Sequence, residues 1–276
     1  MAEDIGVAGR AGYYDGIGAA RDIIQNHLLQ LLALTAMEEP TSFEASQLRA
    51  EKQKVLAAAR VPTRYDLHTA RGQYSPGWQG GKKVIGYREE QGVSPESTTE
   101  TYSAIRVDIE NRRWAGVPFY LRTGKRLAAR DAQIVVNFRP VPHPIFPGAQ
   151  RANKLVIKLQ PEDGLELHLL AAKGSGTSES LAPVSLDLDF DKAFPTERVG
   201  AYERLLLDAI AGRLNLFVRS DEQEQAWRWV EPILDAWERE RVSGGEGPRG
   251  YAAGSWGPAA ASALVARDGF AWSEEQ

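Results

Sequence analysis

Cysteine is absent from the 276 residues, which excludes disulfides, thiolate nucleophiles and Cys-ligated zinc or iron–sulfur centres together. Histidine is scarce: His27, His68, His143 and His168 lack the paired spacing of a helical metal site, and no metal is expected. Positive charge is not in excess, since 33 Lys and Arg face 37 Asp and Glu for a net charge of −4. That balance supplies no overall field for phosphate backbones or anionic lipid, so neither nucleic acid nor a membrane is an expected partner. Long apolar runs are missing too. The longest, Leu28 to Met37, includes Gln30 and is far shorter than the roughly 18 residues that span a bilayer. The opening MAEDIGVAGR carries acids and no apolar stretch of the kind that marks an export signal, and a reducing cytoplasm is the expected compartment.

What is present is a globular composition, 43% hydrophobic and 25% charged, with seven Trp and eight Phe to fill a core. One domain over residues 1–276 is the simplest count. Asp4 to Ala8 reads as the tail of a strand whose partner would lie upstream. Residues 19–37 then form a helix apolar around most of its circumference, which must be buried. Thr41 and Ser42 offer caps for a second helix, 43–60. From Arg71 to Thr101, glycine, proline, serine and acids dominate, so a long, exposed and mobile loop with a strand at 82–87 is expected.

After that the period becomes two. Residues 102–110, 117–123, 132–138, 154–160, 164–170 and 184–190 alternate apolar with polar side chains, as strands buried on one face do. Strands in succession without intervening helices suit an antiparallel sheet, and helices at both ends of the sequence must cover it. The expected fold is α+β: a large, mostly antiparallel sheet with helices packed on one face. Further helices are expected at 199–211, at 221–240 with Trp227, Val230, Leu234 and Trp237 on one side, and at 258–267.

Two glycine motifs fail on inspection. Gly16-Ile17-Gly18 is followed by Arg21 where a dinucleotide turn needs its third glycine, and no complete strand precedes it. Gly80-Gly81-Lys82-Lys83 lacks the Ser or Thr that follows a P-loop lysine. Two polar clusters remain. The helix from Arg21 carries Asp22, Gln25, Asn26 and His27 in an otherwise apolar stretch; α-helical spacing puts Asp22, Gln25 and Asn26 on one face. This is either a satisfied network anchoring the helix, or a site in which His27 serves as a general base near neutrality. Arg122-Thr123-Gly124-Lys125-Arg126, with Arg130 beyond, is either a solvated strand end or a site for an anionic or polyhydroxyl ligand.

RDIIQNHLLQLL (21–32) closely resembles the catalytic helix of the glucose-6-phosphate dehydrogenases. TETYSAIRVDIENRRWAGVPFYLRTGKRL (99–127), NKLVIKLQP (153–161), AYERLLLDAIAG (201–212), FVRSDEQEQAWRWVEPIL (217–234) and YAAGSWGP (251–258) resemble the same family, in its order. The match covers essentially the whole chain and maps to the family's C-terminal domain, with residues 1–15 as the tail of a preceding nucleotide-binding domain. Neither that domain's glycine-rich fingerprint nor the family's Asp-His-Tyr-Leu-Gly-Lys motif is in the sequence, and a truncated reading frame, a misassigned start or a domain cut out on purpose would each account for this.

The resemblance implies that His27 is the catalytic base, that Glu3, Asp22, Lys125 and Arg130 contact the substrate, and that NADP or NAD binds mainly through the other domain. It further implies oxidation of glucose 6-phosphate to 6-phosphogluconolactone, at the entry to the pentose phosphate pathway, in a homodimer or homotetramer. The competing expectation is a non-catalytic chain that keeps only sugar-phosphate binding or dimerisation.

Overall fold

The computed structural model describes residues 1–146, 152–172, 181–194 and 200–275. It divides into two compact units, one made of residues 1–129 and 199–276 and the other of residues 130–198. The strands in chain order are β1 (Ala59–Arg60), β2 (Thr69–Ser75), β3 (Gly77–Gln79), β4 (Lys82–Val84), β5 (Tyr102–Ile109), β6 (Pro118–Gly124), β7 (Ala132–Asn137), β8 (Lys154–Gln160), β9 (Gly164–Ala172), β10 (Leu181–Asp189) and β11 (Arg249–Ala252). Pairing is antiparallel throughout except between β11 and β2.

In the first unit β5 is the central strand, with β6 on one side and β2 and β1 on the other, while β11 extends the sheet beyond β2. Alternation along β5 sends Ile105, Val107 and Ile109 into one core and Tyr102 and Ala104 into another. The first core is helical, built by the helices Leu29–Ala36, Ala45–Ala58 and Ser220–Val242 and the helical turns that precede Leu29. The long helix buries Trp229, Val230, Ile233, Leu234 and Trp237. Trp227, read from the sequence as part of that face, packs only partly, and Trp229 turns its indole N–H to the Arg60 carbonyl at 2.9 Å. The second core holds Tyr74, Tyr87, Tyr102 and Tyr251 in edge-on contacts, closed by helix Ala259–Ala266 and by residues 2–14. The first half of β5 is therefore buried on both faces, which an alternating pattern alone does not reveal.

The stretch read as an exposed loop differs from expectation. Residues 69–75 form β2, 77–84 form the β3–β4 hairpin, and Gln73, Tyr74, Tyr87, Ser97, Glu100 and Thr101 are buried. Its polar residues fold inward because they bond one another: Asp15 accepts from Tyr87 Oη at 2.9 Å and from Ser97, while the Gln73 amide donates to the Ser97 and Thr99 carbonyls. Composition signalled solvation where the side chains satisfy each other.

The second unit is a four-stranded sheet, β10–β9–β8–β7. Its register aligns Ile134 with Ile157, Leu165 and Leu188, and Val136 with Leu155, Leu167 and Leu186, so one face is apolar across all four strands. Leu186 and Leu188 are exposed on it. The other face carries Lys158, Glu166 and His168: Lys158 pairs with the Glu166 carboxylate, and His168 Nε2 lies 3.2 Å from Glu166 Oε2. The helix expected at 199–211 is found at Ala201–Ile210, and Val199 lies outside the described residues. Among the described residues no helix is long and apolar enough to cross a membrane.

Three helices of the first core meet at one buried charge pair. Lys52 Nζ lies 2.8 Å from Glu222 Oε2 and donates to Gln30 Oε1 at 2.9 Å, with the side chains 6% and 0% exposed for the lysine and glutamate. Removing one partner strands the other charge in an apolar interior. Lys52→Met is expected to lower unfolding stability by about 3 kcal/mol in urea titrations, and Lys52→Met with Glu222→Leu to recover most of that loss.

Candidate active site

The helix from Ala20 begins as a π-helix, Ala20–Leu28, and becomes α-helical at Leu29–Ala36. Hydrogen bonding from i to i+5 widens each turn, a feature common at functional sites. Asp22 and His27, five apart, come nearer to one face than the roughly 140° that α-helical winding would put between them. The face expected from α-helical spacing is not kept: Gln25 is buried at 4% exposure, whereas Asn26 and His27 are open and Asp22 is half-buried. The remaining side chains of this segment, Ile23, Ile24 and Leu28, are buried in the helical core.

Lys125 is the buried cation of the site. It follows β6 directly, where its backbone N–H donates to the Thr101 carbonyl at 2.9 Å and its carbonyl accepts from Tyr251 Oη at 2.7 Å. Residues 1–5 run alongside this strand end. Glu3 N donates to Gly124 O, Leu127 N to Glu3 O and Arg126 N to Ile5 O. The strand expected at Asp4–Ala8 is not formed: a single parallel bridge joins Ala2 to Gly124, Asp4 and Ile5 bend away, and a 3-10 turn begins at Ala8, because these residues bond to the turn after β6 instead of to a strand. Arg126 turns there through a left-handed φ of 53°, a strained conformation for a side-chain-bearing residue. The outcome is a compact charge cluster in which Lys125 Nζ sits 2.5 Å from Glu3 Oε2, 3.7 Å from Asp22 Oδ2 and 5.1 Å from the centre of the Tyr14 ring.

The ammonium is 5% exposed, while Glu3 and Asp22 keep 28% and 40% of their side-chain surface open. The carboxylates can therefore accept bonds from hydroxyl groups in solution while the lysine holds them in place. Tyr14 is buried; burial first, then the charges of Glu100 and Asp22, push its phenol well above the ordinary range, so it stays neutral beneath the ammonium.

Of the five residues singled out in the sequence, Glu3, Asp22 and Lys125 touch, and His27 is exposed on the helix that carries Asp22. Arg130 belongs to the other unit, where it is exposed and donates to Gln160 at 3.1 Å. Sequence reasoning missed Tyr14, Thr101 and Tyr251. A tyrosine supporting a lysine 111 positions away leaves no local periodic signal.

The chain's own residues do not fit a nicotinamide dinucleotide at Gly16-Ile17-Gly18. A Cβ on Gly18 would lie 2.4 Å from Glu100 Oε1, so the space in front of this glycine is filled by a carboxylate, which repels a pyrophosphate where a cradle would attract one. Among the described residues no group of His, Asp and Glu is arranged to hold a metal.

The family described as glucose-6-phosphate dehydrogenase, C-terminal domain, matches residues 1–273. Glucose-6-phosphate 1-dehydrogenase 2 of Mycobacterium tuberculosis H37Rv is 49% identical over 276 residues, covering 99% of this chain and 52% of the relative. The glucose-6-phosphate 1-dehydrogenase of Rhizobium meliloti is 48% identical over 281 residues, covering 99% and 56%. A crystal structure of glucose-6-phosphate 1-dehydrogenase from Mycobacterium avium superposes with a TM-score of 0.82 at 39% identity, over 99% of this chain and 54% of that one. A glucose-6-phosphate dehydrogenase solved in complex with its substrate glucose 6-phosphate reaches 0.88 at 35% identity, over 99% and 55%. The chain spans about half the length of the relatives it matches. On the strength of the match over residues 1–273, the chain belongs to the glucose-6-phosphate dehydrogenase C-terminal domain family.

Proposed function

We propose that this chain is the sugar-holding and proton-accepting part of an NADP- or NAD-dependent glucose-6-phosphate dehydrogenase acting in the cytoplasm, at the entry to the pentose phosphate pathway. The observation that carries the reading is the Lys125–Glu3–Asp22 cluster, whose two carboxylates are partly open to solvent and whose Asp22 lies on the same helix as the exposed imidazole of His27. Glu3 and Asp22 accept hydrogen bonds from sugar hydroxyls, and Lys125 supplies donors and positive charge. Oxidation of a C1 hydroxyl releases a proton and a hydride; His27 accepts the proton, imidazole being the side-chain type suited to proton abstraction near neutrality. The hydride acceptor is a nicotinamide held outside this chain's described residues.

Hydride transfer needs both carbons held in contact, and lost positioning forfeits on the order of 7 to 11 kcal/mol. The purified 276-residue chain is expected to give no measurable reduction of NADP with glucose 6-phosphate and only weak sugar-phosphate binding by titration calorimetry. Joined to the nucleotide-binding half of a close relative, it should turn over, and His27→Asn should abolish that turnover. A joined enzyme indifferent to His27→Asn would remove the assignment. Lys125→Met in the same protein should raise KM for glucose 6-phosphate at least tenfold, as expected for a lost charged contact worth about 1.5 kcal/mol or more.

The assembly is a homodimer, or a tetramer built from dimers, formed through the apolar face of the β7–β10 sheet. Ile157, Leu165 and Leu188 lie side by side there, and Leu186 is 60% exposed, an arrangement that excludes water only against another apolar surface. Sedimentation at micromolar concentration should give a dimer, and Leu186→Asp should shift it toward the 30.4 kDa monomer without loss of secondary structure by circular dichroism.

A further inference from the structure

The helix that carries Asp22 and His27 starts against a carboxylate to which neither the sequence motifs nor the reading above gives a task. Glu100 lies just before β5, 80 residues from the helix start in sequence. Its backbone carbonyl accepts from Ala19 N at 2.9 Å, and its side-chain Oε1 accepts from Ala20 N at 3.0 Å. The two amides that open the π-helix, which no turn of the helix itself can satisfy, are both taken by this one residue. The residue is 7% exposed.

Its seat depends on one glycine. Gly18 has a φ of +78°, and a Cβ there would fall 2.4 Å from Oε1 and 2.7 Å from Oε2, inside both carboxylate oxygens. The chain therefore enters the helix by a left-handed residue without a side chain, and the vacated volume is filled by the Glu100 carboxyl group. The charges facing it are Arg21 and Arg71, and the neutral Tyr14 donates its hydroxyl to the Glu100 carbonyl at 3.5 Å. Burial pushes the carboxyl above its ordinary range, and the Ala20 amide and the two arginines oppose that push. A value raised on folding means stabilisation that is complete below the unfolded-state value and lost as pH rises through the folded-state value. Ionisation of the buried carboxyl therefore works against stability; its hydrogen bond is what it supplies.

We propose that Glu100 is a positioning residue for the reaction: seated against Gly18, its carboxylate oxygen fixes the first turn of the π-helix and so sets where Asp22 and His27 stand relative to Lys125. Reach, and not charge, is what the role requires. The inference rests on the functional reading above, and two substitutions separate reach from charge. Glu100→Gln keeps the length and an acceptor oxygen while removing the charge. Glu100→Asp keeps the charge and withdraws the oxygen from Ala20 by one carbon.

In the full chain, Glu100→Gln should unfold at no lower temperature than the parent at pH 8 and leave the His27 ring resonances in place in a two-dimensional NMR spectrum. Glu100→Asp should move those resonances. In the enzyme completed with a relative's nucleotide-binding half, at a temperature well below unfolding, Glu100→Asp should lower kcat/KM at least tenfold, while Glu100→Gln stays within threefold of the parent. A Glu100→Asp protein with parental kcat/KM and an unmoved His27 signal would overturn the proposal, and so would a Glu100→Gln protein as impaired as Glu100→Asp. His27→Asn serves as the control. If it leaves turnover intact the functional reading fails, and the NMR comparison in the full chain still decides the role of Glu100.

Discussion

The ladder between β5 and β6 is the constraint on which the first unit is built. It runs from Tyr102 opposite Gly124 to Asp108 opposite Pro118, and both of its ends are occupied. At one end, Glu100 and Thr101 precede β5, the first holding the start of the π-helix and the second accepting the Lys125 amide. The site is thus assembled by two short segments flanking a single strand pair. A ladder of this kind cannot slip by one residue without sending Ile105, Val107 and Ile109 out of the helical core and Tyr102 out of the tyrosine core, so packing on both faces fixes the register that places Lys125 beside Glu3 and Asp22.

Much of this was legible in the chain. The alternation in 102–110 and 154–190 gave the strands to within a few residues, and the apolar run 28–37 gave the buried helix, because period and burial are local properties. His27 and Asp22 stood out as polar residues on the same helix, just before that run. What could not be read is what depends on contacts far apart in sequence. The winding of Ala20–Leu28 as a π-helix, which buries Gln25 and opens Asn26, is set at its start by a residue 80 positions away. The polar stretch 71–101 looked solvated because composition cannot show that Asp15 is waiting for Tyr87 and Ser97. Tyr14 under Lys125 is likewise a product of the fold.

The two buried carboxylates of the first unit both stand at helix starts. Glu222 accepts from the Arg219 amide at 3.2 Å and also meets Lys52, so one side chain caps the long helix and ties it to its neighbour. Glu100 takes the Ala19 amide on its carbonyl and the Ala20 amide on its side chain. The long helix is thus anchored in the core by a charge pair, whereas the π-helix is anchored at its first turn through its own backbone.

Arg122 closes the first unit in a further way. Its carbonyl accepts from the amino group of Met1 at 2.8 Å, its guanidinium pairs with Glu274, and the ring of Trp272 stacks 4.3 Å from it. Residues 1 and 274 thus both reach Arg122 of β6, one at its carbonyl and the other at its guanidinium, three positions before Lys125. Ordering residues 272–274 against Arg122 costs conformational entropy, and what that ordering secures is the end of β6 that leads to Lys125.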